Sequence, residues 1–275
     1  MKIKFTSVIL SIFISISINS AFADGNIEVV PASKVIWEQL NPARGDKSPL
    51  AGTLWGDRKG TVATGFLAKF VDGFSSPPHI HPETYRAVVI SGHIHNDDPD
   101  AAKMWMPEGS FWTQPKGEVH ITAAKGSNNI ALVEIDKSPY LVRSFKDAYD
   151  SGEKPINVVP NNLVWVDFPK VSDSTNGIKI AYLWGNLEDG KSNGTFVKLP
   201  AAFKGNIHSL GETFRAVVVK RLLQYQGTEI KTLEPGSYFG TTKGEATHQV
   251  SSHEKNDTVL YIRTNGKFEI IPAQS

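Results

Sequence analysis

Two histidines separated by one residue, His79 and His81, lie in the segment PPHIHPE. In a β-strand, residues i and i+2 point to the same face, so one cavity could receive both imidazoles. Neutral imidazole is a common ligand of divalent transition metals. Histidine pairs also occur at ordinary surface and core positions, so this pair indicates a metal site only if a third ligand comes from elsewhere in the chain.

A second motif supplies a third histidine. The segment GSFWTQPKGEVH has the spacing G-x5-P-x-G-x2-H, formed by Gly109, Pro115, Gly117 and His120. Together with the earlier segment GFSSPPHIHPETYRAVVISG, it resembles the two signature motifs of the cupin superfamily. The words MWMPEGSFWTQPKGEVHITAA are also similar to a group of bacterial cupins known only as domains of unknown function. The resemblance therefore implies a fold and a metal site but no particular reaction.

What the resemblance implies is a small jelly-roll barrel in which three histidines hold one ion. Carried over by position, these ligands are His79, His81 and His120. The expected cofactor is one divalent transition metal ion, and Fe, Mn, Zn, Ni and Cu all accept imidazole, so the residue types do not choose among them. The chain has no cysteine, which excludes thiolate ligands.

The fourth ligand is where the sequence departs from the cupin pattern. Counting back from Gly92, the position of the usual glutamate holds Tyr85, and the nearest carboxylate is Glu83. If one strand continued through this region, both side chains would face the same way as His79 and His81. Three alternatives stay open. Glu83 is a fourth ligand, Tyr85 orients substrate or moves a proton, or three histidines bind the ion alone, as in the cupin dioxygenases that cleave diketones.

The elements that must position these residues are short runs rich in Val, Ile, Thr, Phe and Trp, separated by Gly, Pro, Asn and Asp. This spacing is typical of a β-sandwich or barrel, and no sustained helical periodicity interrupts it. The stretch from His93 to Asp98 is interpreted as a polar turn between strands. We therefore predict an all-β protein of two tandem cupin-type jelly-roll barrels.

The prediction of two barrels comes from an internal repeat. The words VVP, LWG and ETYRAVV return as VVP, LWG and ETFRAVV, each 129 residues later. Chance does not keep one offset over three separated words, so the halves are interpreted as diverged copies of one unit. The predicted organisation is a signal peptide at 1–23, a metal-binding barrel at 24–150 and a second barrel at 151–275.

The second copy keeps only part of the ligand set. At the same offset it retains His208 and Glu212, but Leu210 stands where the first barrel has its second histidine, and His248 is the counterpart of the third. His208, Glu212 and His248 are weak candidates for a second site, because two histidines and a carboxylate are a known set for open ferrous sites. We expect a partly degenerate barrel whose main role is structural.

The N-terminus has the layout of a secretory signal. Lys2 and Lys4 precede an apolar run that ends in Ala21-Phe22-Ala23. This run, interrupted by serines, is shorter than the roughly 20 apolar residues that span a bilayer. We expect cleavage near Ala23 and a secreted, periplasmic protein that does not bind membranes afterwards.

Composition points to small-molecule partners. The chain has 29 basic and 28 acidic residues, and without Lys2 and Lys4 the balance is 27 to 28, or −1. A near-neutral chain without a basic cluster has no electrostatic footprint for nucleic acid. A homodimer is compatible with a cupin barrel, although no residue specifies an interface.

The expected function is that of an exported metal-dependent enzyme acting on a small oxygen-rich substrate, such as a dicarbonyl, a carboxylate or a sugar derivative. The ion would provide dioxygenase-like or other Lewis-acid chemistry, the latter including lyase and isomerase reactions, with Glu83 or Tyr85 as the catalytic side chain. The alternative is a non-catalytic protein that binds or senses a small ligand, because one fold hosts many functions.

Overall fold

The structure, a computed structural model, describes residues 27–137, 139–169, 177–188 and 190–273, so the predicted signal peptide lies outside the described residues. Antiparallel strands make up most of the described chain, which confirms the predicted all-β class. In chain order the strands are β1 (Ile27–Val30), β2 (Trp37–Gln39), β3 (Leu50–Trp55), β4 (Thr64–Phe70), β5 (His79–Ile80), β6 (Tyr85–Asp97), β7 (Phe111–Gln114), β8 (Ile121–Ile135), β9 (Arg143–Ser144), β10 (Ile156–Val158), β11 (Val166–Asp167), β12 (Lys179–Gly185), β13 (Asn193–Leu199), β14 (Lys204–Ser209), β15 (Phe214–Lys220), β16 (Leu223–Gln226), β17 (Ile230–Leu233), β18 (Tyr238–Thr241), β19 (Ala246–Ser252), β20 (Thr258–Thr264) and β21 (Phe268–Pro272). Short 3-10 helices cover Ala32–Lys34, Pro42–Lys47, Phe145–Asp147 and Pro160–Asn162.

Two seven-stranded sheets dominate the fold, and their strand orders match. One has the order β10-β7-β6-β8-β4-β3-β2 and the other β1-β18-β15-β20-β13-β12-β11. A five-stranded sheet, β17-β16-β19-β14-β21, and the β5-β9 pair complete the fold. We call the strands β2 to β10 the first barrel, and β1 with β11 to β21 the second barrel.

The two halves of the chain exchange their first strand. β1 pairs with β18 of the second barrel, where Val30 lies opposite Tyr238. In the reciprocal pair, β10 joins β7 of the first barrel, and Val158 lies opposite Phe111. The predicted division of the chain at residue 150 does not foresee this exchange, because each large sheet contains one strand from the other side of that boundary.

Side chains alternate between the two faces of each strand, so the two faces of a sheet contribute to different apolar cores. In β6, Tyr85, Ala87 and Val89 face the interior of the first barrel. Val88 and Ile90 face a second core, which lies between the two large sheets and takes side chains from both halves of the chain. Because both faces of this part of β6 are buried, residues 87–90 form a continuous apolar run.

A buried charged network also joins the halves. Arg263 Nη2 lies 2.6 Å from Asp136 Oδ1, and Arg263 Nη1 lies 3.3 Å from Glu134 Oε1. The Tyr261 hydroxyl donates a hydrogen bond of 2.7 Å to Glu134. Arg86 approaches Asp136 from the first barrel at 3.0 Å. Burial would raise the pKa of Asp136, but the two guanidinium groups outweigh it and hold the pKa below its usual value.

Candidate metal centre

The three histidines of the two motifs converge inside the first barrel. His79 lies in β5 and pairs with His120 through two backbone hydrogen bonds of 3.1 and 3.0 Å. His81 follows β5 directly. Ring centroids lie 4.2 to 5.2 Å apart, and one ligand nitrogen of each ring lies within 4.8 Å of the other two. All three side chains are buried. This cluster could hold a metal ion.

Backbone carbonyls fix which ring nitrogen of each histidine is available. The Nδ1 atoms lie 2.8 Å from the oxygen of Pro77 for His79, 2.7 Å from that of Leu141 for His81, and 3.4 Å from that of Glu118 for His120. A carbonyl only accepts hydrogen bonds, so each Nδ1 must donate and each Nε2 carries a lone pair. Histidines that bind metals are oriented in the same way, by a hydrogen bond from the ring nitrogen that does not bind the metal.

The surroundings of the second ring nitrogen of His81 indicate whether a metal ion fits the cluster. His81 Nε2 is buried and has no hydrogen-bond partner among the described residues. Buried polar atoms nearly always have a partner, so this orphan needs an explanation. A divalent cation among three imidazoles would satisfy it, and a donor set of three nitrogens suits Fe, Mn, Zn, Ni or Cu.

Burial also keeps the imidazoles in the form that binds metal. Burial, reinforced by neighbouring His79, lowers the pKa of His81 to about 3. Burial likewise lowers the pKa of His79, and burial together with the other two rings holds the pKa of His120 well below its usual value. All three side chains are therefore neutral at pH 7, as ligation requires.

Tyr85 is held beside the cluster by a polar network. Its hydroxyl donates a hydrogen bond of 2.8 Å to Asn96 Oδ1 and lies 3.5 Å from His120 Nε2. Thr122 donates to the same Asn96 oxygen, and Asn96 Nδ2 donates to Gln114. Burial raises the pKa of Tyr85 to about 12 despite these hydrogen bonds, so the phenol is protonated at neutral pH. Its single O–H is donated to Asn96, and its oxygen stands next to the histidines.

The interpretation of His93 to Asp98 as a turn is wrong, and the partners of Tyr85 were missed with it. β6 continues to Asp97 and pairs with the start of β8, which places Asn96 on the inner side, buried. The signal available in the sequence was the placement of Ile94 and Asn96 two residues apart, which puts both on one face of a strand. The neighbouring acids concealed it because they are typical of turns.

Glu83 is not part of the cluster. Among the described residues, the His, Asp and Glu side chains whose ligand atoms gather in this way are His79, His81 and His120 alone. The expectation of a fourth ligand assumed one continuous strand, but residues 81 to 84 leave the strand geometry before β6 begins at Tyr85. Pro82 explains the break because it has no N–H to donate to a ladder. Tyr85 returns to the inner face, whereas Glu83 lies in the turn.

The candidate residues of the second barrel are not brought together. His248 is buried and lies opposite Ile207, as His120 lies opposite His79 in the first barrel. His208 is one residue out of register with that position, so it faces the other side of β14, where its Nε2 lies 4.0 Å from Glu245. A one-residue slip reverses the face of a strand residue. Glu212 belongs to no such cluster in the described part of the chain.

Aromatic side chains surround His248 where a metal site would have to lie. Its ring packs 5.0 Å from Phe214 and 5.3 Å from Phe239, measured between centroids. Its nitrogens lie 3.0 Å from the Tyr225 hydroxyl and 3.1 Å from the Thr241 hydroxyl. His248 is therefore a satisfied core histidine, which agrees with the structural role expected for this barrel.

A cavity of about 400 Å³ opens onto the histidine cluster. Its polar inner end includes His79, Tyr85 and Thr122, and Tyr140 and Leu141 close one side of it. The last two lie between β8 and β9, and Leu141 also supplies the carbonyl that holds His81. Most of the remaining wall is apolar: Leu40, Pro49, Ala68, Phe70, Phe74, Trp112, Val133 and Val142.

Comparisons with known proteins agree with this fold. The family model for a domain of unknown function, DUF4437, matches residues 28–271. No curated protein matches the chain. In the described residues, none of the helices is both long and apolar enough to cross a bilayer.

Solved cupin-fold structures resemble the chain at low sequence identity. A protein from Nostoc punctiforme, provisionally called a dioxygenase, has a TM-score of 0.68 and 10% identity, over 90% of this chain and 87% of its own. The formate complex of Lactobacillus farciminis oxalate decarboxylase has a TM-score of 0.56 and 10% identity, over 89% and 88%. Protein Ylba from E. coli, of family DUF861, has a TM-score of 0.58 and 14% identity, over 90% and 94%. These likenesses establish the cupin fold.

Proposed function

The chain belongs to the DUF4437 family of domains of unknown function, and we propose that it is a metal-dependent cupin enzyme acting on a small oxygen-rich organic substrate. One observation carries the proposal. Three buried, neutral histidines each bring one ring nitrogen within 4.8 Å of the other two, and a protonated tyrosine beside them lines a cavity together with His79. A metal ion would also satisfy the buried Nε2 of His81, which has no hydrogen-bond partner among the described residues.

His79, His81 and His120 would hold the ion. A divalent metal bound there supplies a Lewis-acid or oxygen-activating centre. The cupin neighbours include a decarboxylase and a protein provisionally called a dioxygenase, which supports metal chemistry of this general kind without choosing a reaction.

Tyr85 is the side chain we assign to proton movement. Its hydroxyl lies close to the cluster, and its single O–H, which Asn96 accepts in the free protein, would turn to an oxygen of the substrate where negative charge develops. Thr122 and Gln114 hold Asn96 in turn, so the position of the hydroxyl is set before substrate binds. Trp112 and Phe74 line the cavity and exclude water from this end.

Replacing Tyr85 with Phe tests this role. The variant should keep its metal, because Tyr85 is not one of the three nitrogen ligands, but kcat should fall about 100-fold for lack of a positioned donor. The measurement is aerobic turnover of a panel of dicarbonyls and organic acids, with metal content determined on the same samples. Tyr225→Phe is the matched control, because Tyr225 lies beside a buried histidine of the second barrel.

Two results would count against the proposal. Unchanged kcat in Tyr85→Phe would remove the tyrosine from the chemistry. Tight ligand binding by metal-loaded wild type, with no turnover of any panel member, would favour the binding or sensing protein.

Export and domain organisation belong to the same proposal. The layout of residues 1–23 supports secretion to the periplasm, and the repeat supports two barrels of which only the first holds metal. The intact mass of periplasmic protein should correspond to a chain that begins at Asp24. A mass that retains the first 23 residues would contradict cleavage. The proposed partners are small molecules and a second copy of the chain, and neither nucleic acid nor membrane.

A further inference from the structure

The lining of the cavity beside the candidate metal centre includes a positively charged side chain and no negatively charged one. Of its lining side chains, Arg44 is a permanent cation, and none is a carboxylate. The remaining wall residues are apolar, aromatic or neutral. An anion entering this cavity would meet no like charge on the wall.

Arg44 is held in place without an acidic partner. It lies in the 3-10 helix Pro42–Lys47, donates a hydrogen bond of 3.3 Å to the carbonyl of Ser75, and lies over the ring of Phe74 at 5.1 Å. No ion pair of Arg44 occurs among the described residues, whereas Arg58 and Arg86 each contact a carboxylate. A guanidinium has five N–H donors, so most of those of Arg44 stay available for a planar anion.

The distance from Arg44 to the histidines determines how long a molecule must be to contact both. Arg44 contacts Ser75, and the neighbouring Ser76 lies 3.3 Å from His79 through its hydroxyl. The four Cα-to-Cα steps from Ser75 to His79 span at most about 14 Å. One molecule could therefore contact the guanidinium at one end and the metal centre at the other.

From this arrangement we propose that the substrate is an organic acid with an apolar body, whose carboxylate binds Arg44 while a second oxygen faces the metal centre. This inference rests on the proposed function and adds its substrate class. The cavity volume of about 400 Å³ lies within the range of pockets that enclose drug-sized ligands, and a two-carbon diacid would leave most of it unfilled. The walls formed by Leu40, Phe70 and Trp112 suit an aromatic or branched aliphatic group.

The test uses phenylglyoxylate, its methyl ester and oxalate as probes. Binding to the metal-loaded full-length mature chain is measured by isothermal titration calorimetry, and metal content is determined on each sample. In the wild type, phenylglyoxylate should bind at least about 10-fold more tightly than the neutral ester, because only the acid forms charge-assisted hydrogen bonds with the guanidinium. It should also bind more tightly than oxalate, which does not fill the apolar wall.

Arg44→Gln should weaken phenylglyoxylate binding by about 10- to 100-fold and leave the ester unchanged. Lys47→Gln removes the same charge from the same 3-10 helix at a position that does not line the cavity, so it should behave as wild type. Arg44→Lys should restore part of the preference for the acid.

Equal binding of acid and ester by the wild type, no binding of any probe, or an unchanged preference in Arg44→Gln would each overturn the proposed substrate class. Wild-type protein that takes up no metal would instead overturn the proposed function. The two failures are distinguished by the metal content of the same samples.

Discussion

His81→Ala is expected to lower the affinity of the protein for its metal by at least about 100-fold. Loss of a residue that merely orients a ligand costs 10- to 100-fold in metal affinity, and loss of a ligand should exceed that. Of the three proposed ligands we choose His81, because its Nε2 is buried without a hydrogen-bond partner among the described residues and its Nδ1 is held by Leu141. The measurement is a competition titration with a coloured chelator.

His93→Ala is the matched control for this loss. His93 lies in β6 of the same barrel but is exposed, so its removal should leave metal affinity unchanged. His81→Gln fills more of the space left by the imidazole and should lose metal as the alanine variant does. If both His81 variants fold and bind metal as tightly as wild type, the cluster is not the metal site.

Arg263→Met is expected to lower the free energy of unfolding by about 3 to 5 kcal/mol, because it leaves the buried carboxylate of Glu134 without its guanidinium. Glu134 is 1% exposed, and Tyr261 would remain as its hydrogen-bond donor. The interaction lies between the two halves of the chain. The variant should therefore lower the stability of the whole fold in urea unfolding followed by fluorescence and circular dichroism.

Lys179→Met provides the comparison for an ion pair in solvent. Lys179 contacts Asp167 at 2.8 Å, but both side chains are exposed, so the loss should be below about 1 kcal/mol. Adding Glu134→Gln to Arg263→Met should recover part of the stability, because it removes the unpaired charge. Equal losses in the Arg263 and Lys179 variants would contradict the assigned role of the buried network.

Local sequence was enough to predict the class of fold, and the resemblance to the cupin motifs implied that three histidines converge. Runs of β-branched and aromatic residues between turn formers specify short strands, and the spacing of His79 and His81 confines them to one side of the chain. The third histidine followed from the second motif, because the resemblance to cupins implies that its histidine joins the other two. The strand pattern and the two motifs are themselves local features of the chain.

Features that depend on distant contacts were not predicted. The exchange of β1 and β10 is set by which sheet edge each strand meets, and a short apolar run does not encode its partner. The segment containing Tyr140 and Leu141 closes the cavity because of the path it takes between β8 and β9. Arg44 likewise lines the cavity from the 3-10 helix that precedes β3, which has no motif of its own.

A break in one strand and a register error in another account for the misplaced candidate ligands. At Pro82 the chain leaves its strand, so counting by twos from His81 no longer identifies the inward residues. In the second barrel the repeat aligned His208 with His79, but pairing across β14 and β19 puts Ile207 at that position. Because side chains alternate with a period of two, an error of one residue moves a candidate ligand to the opposite face.

The most direct test of the metal centre is an anomalous difference map from crystals of the mature protein, purified without a histidine tag or added metal. Data are collected on both sides of the absorption edge of whichever metal elemental analysis detects. The account predicts one peak per chain within about 2.0 to 2.2 Å of the Nε2 atoms of His79, His81 and His120. A map with no peak there, or with a peak bound elsewhere while these rings turn apart, would contradict it.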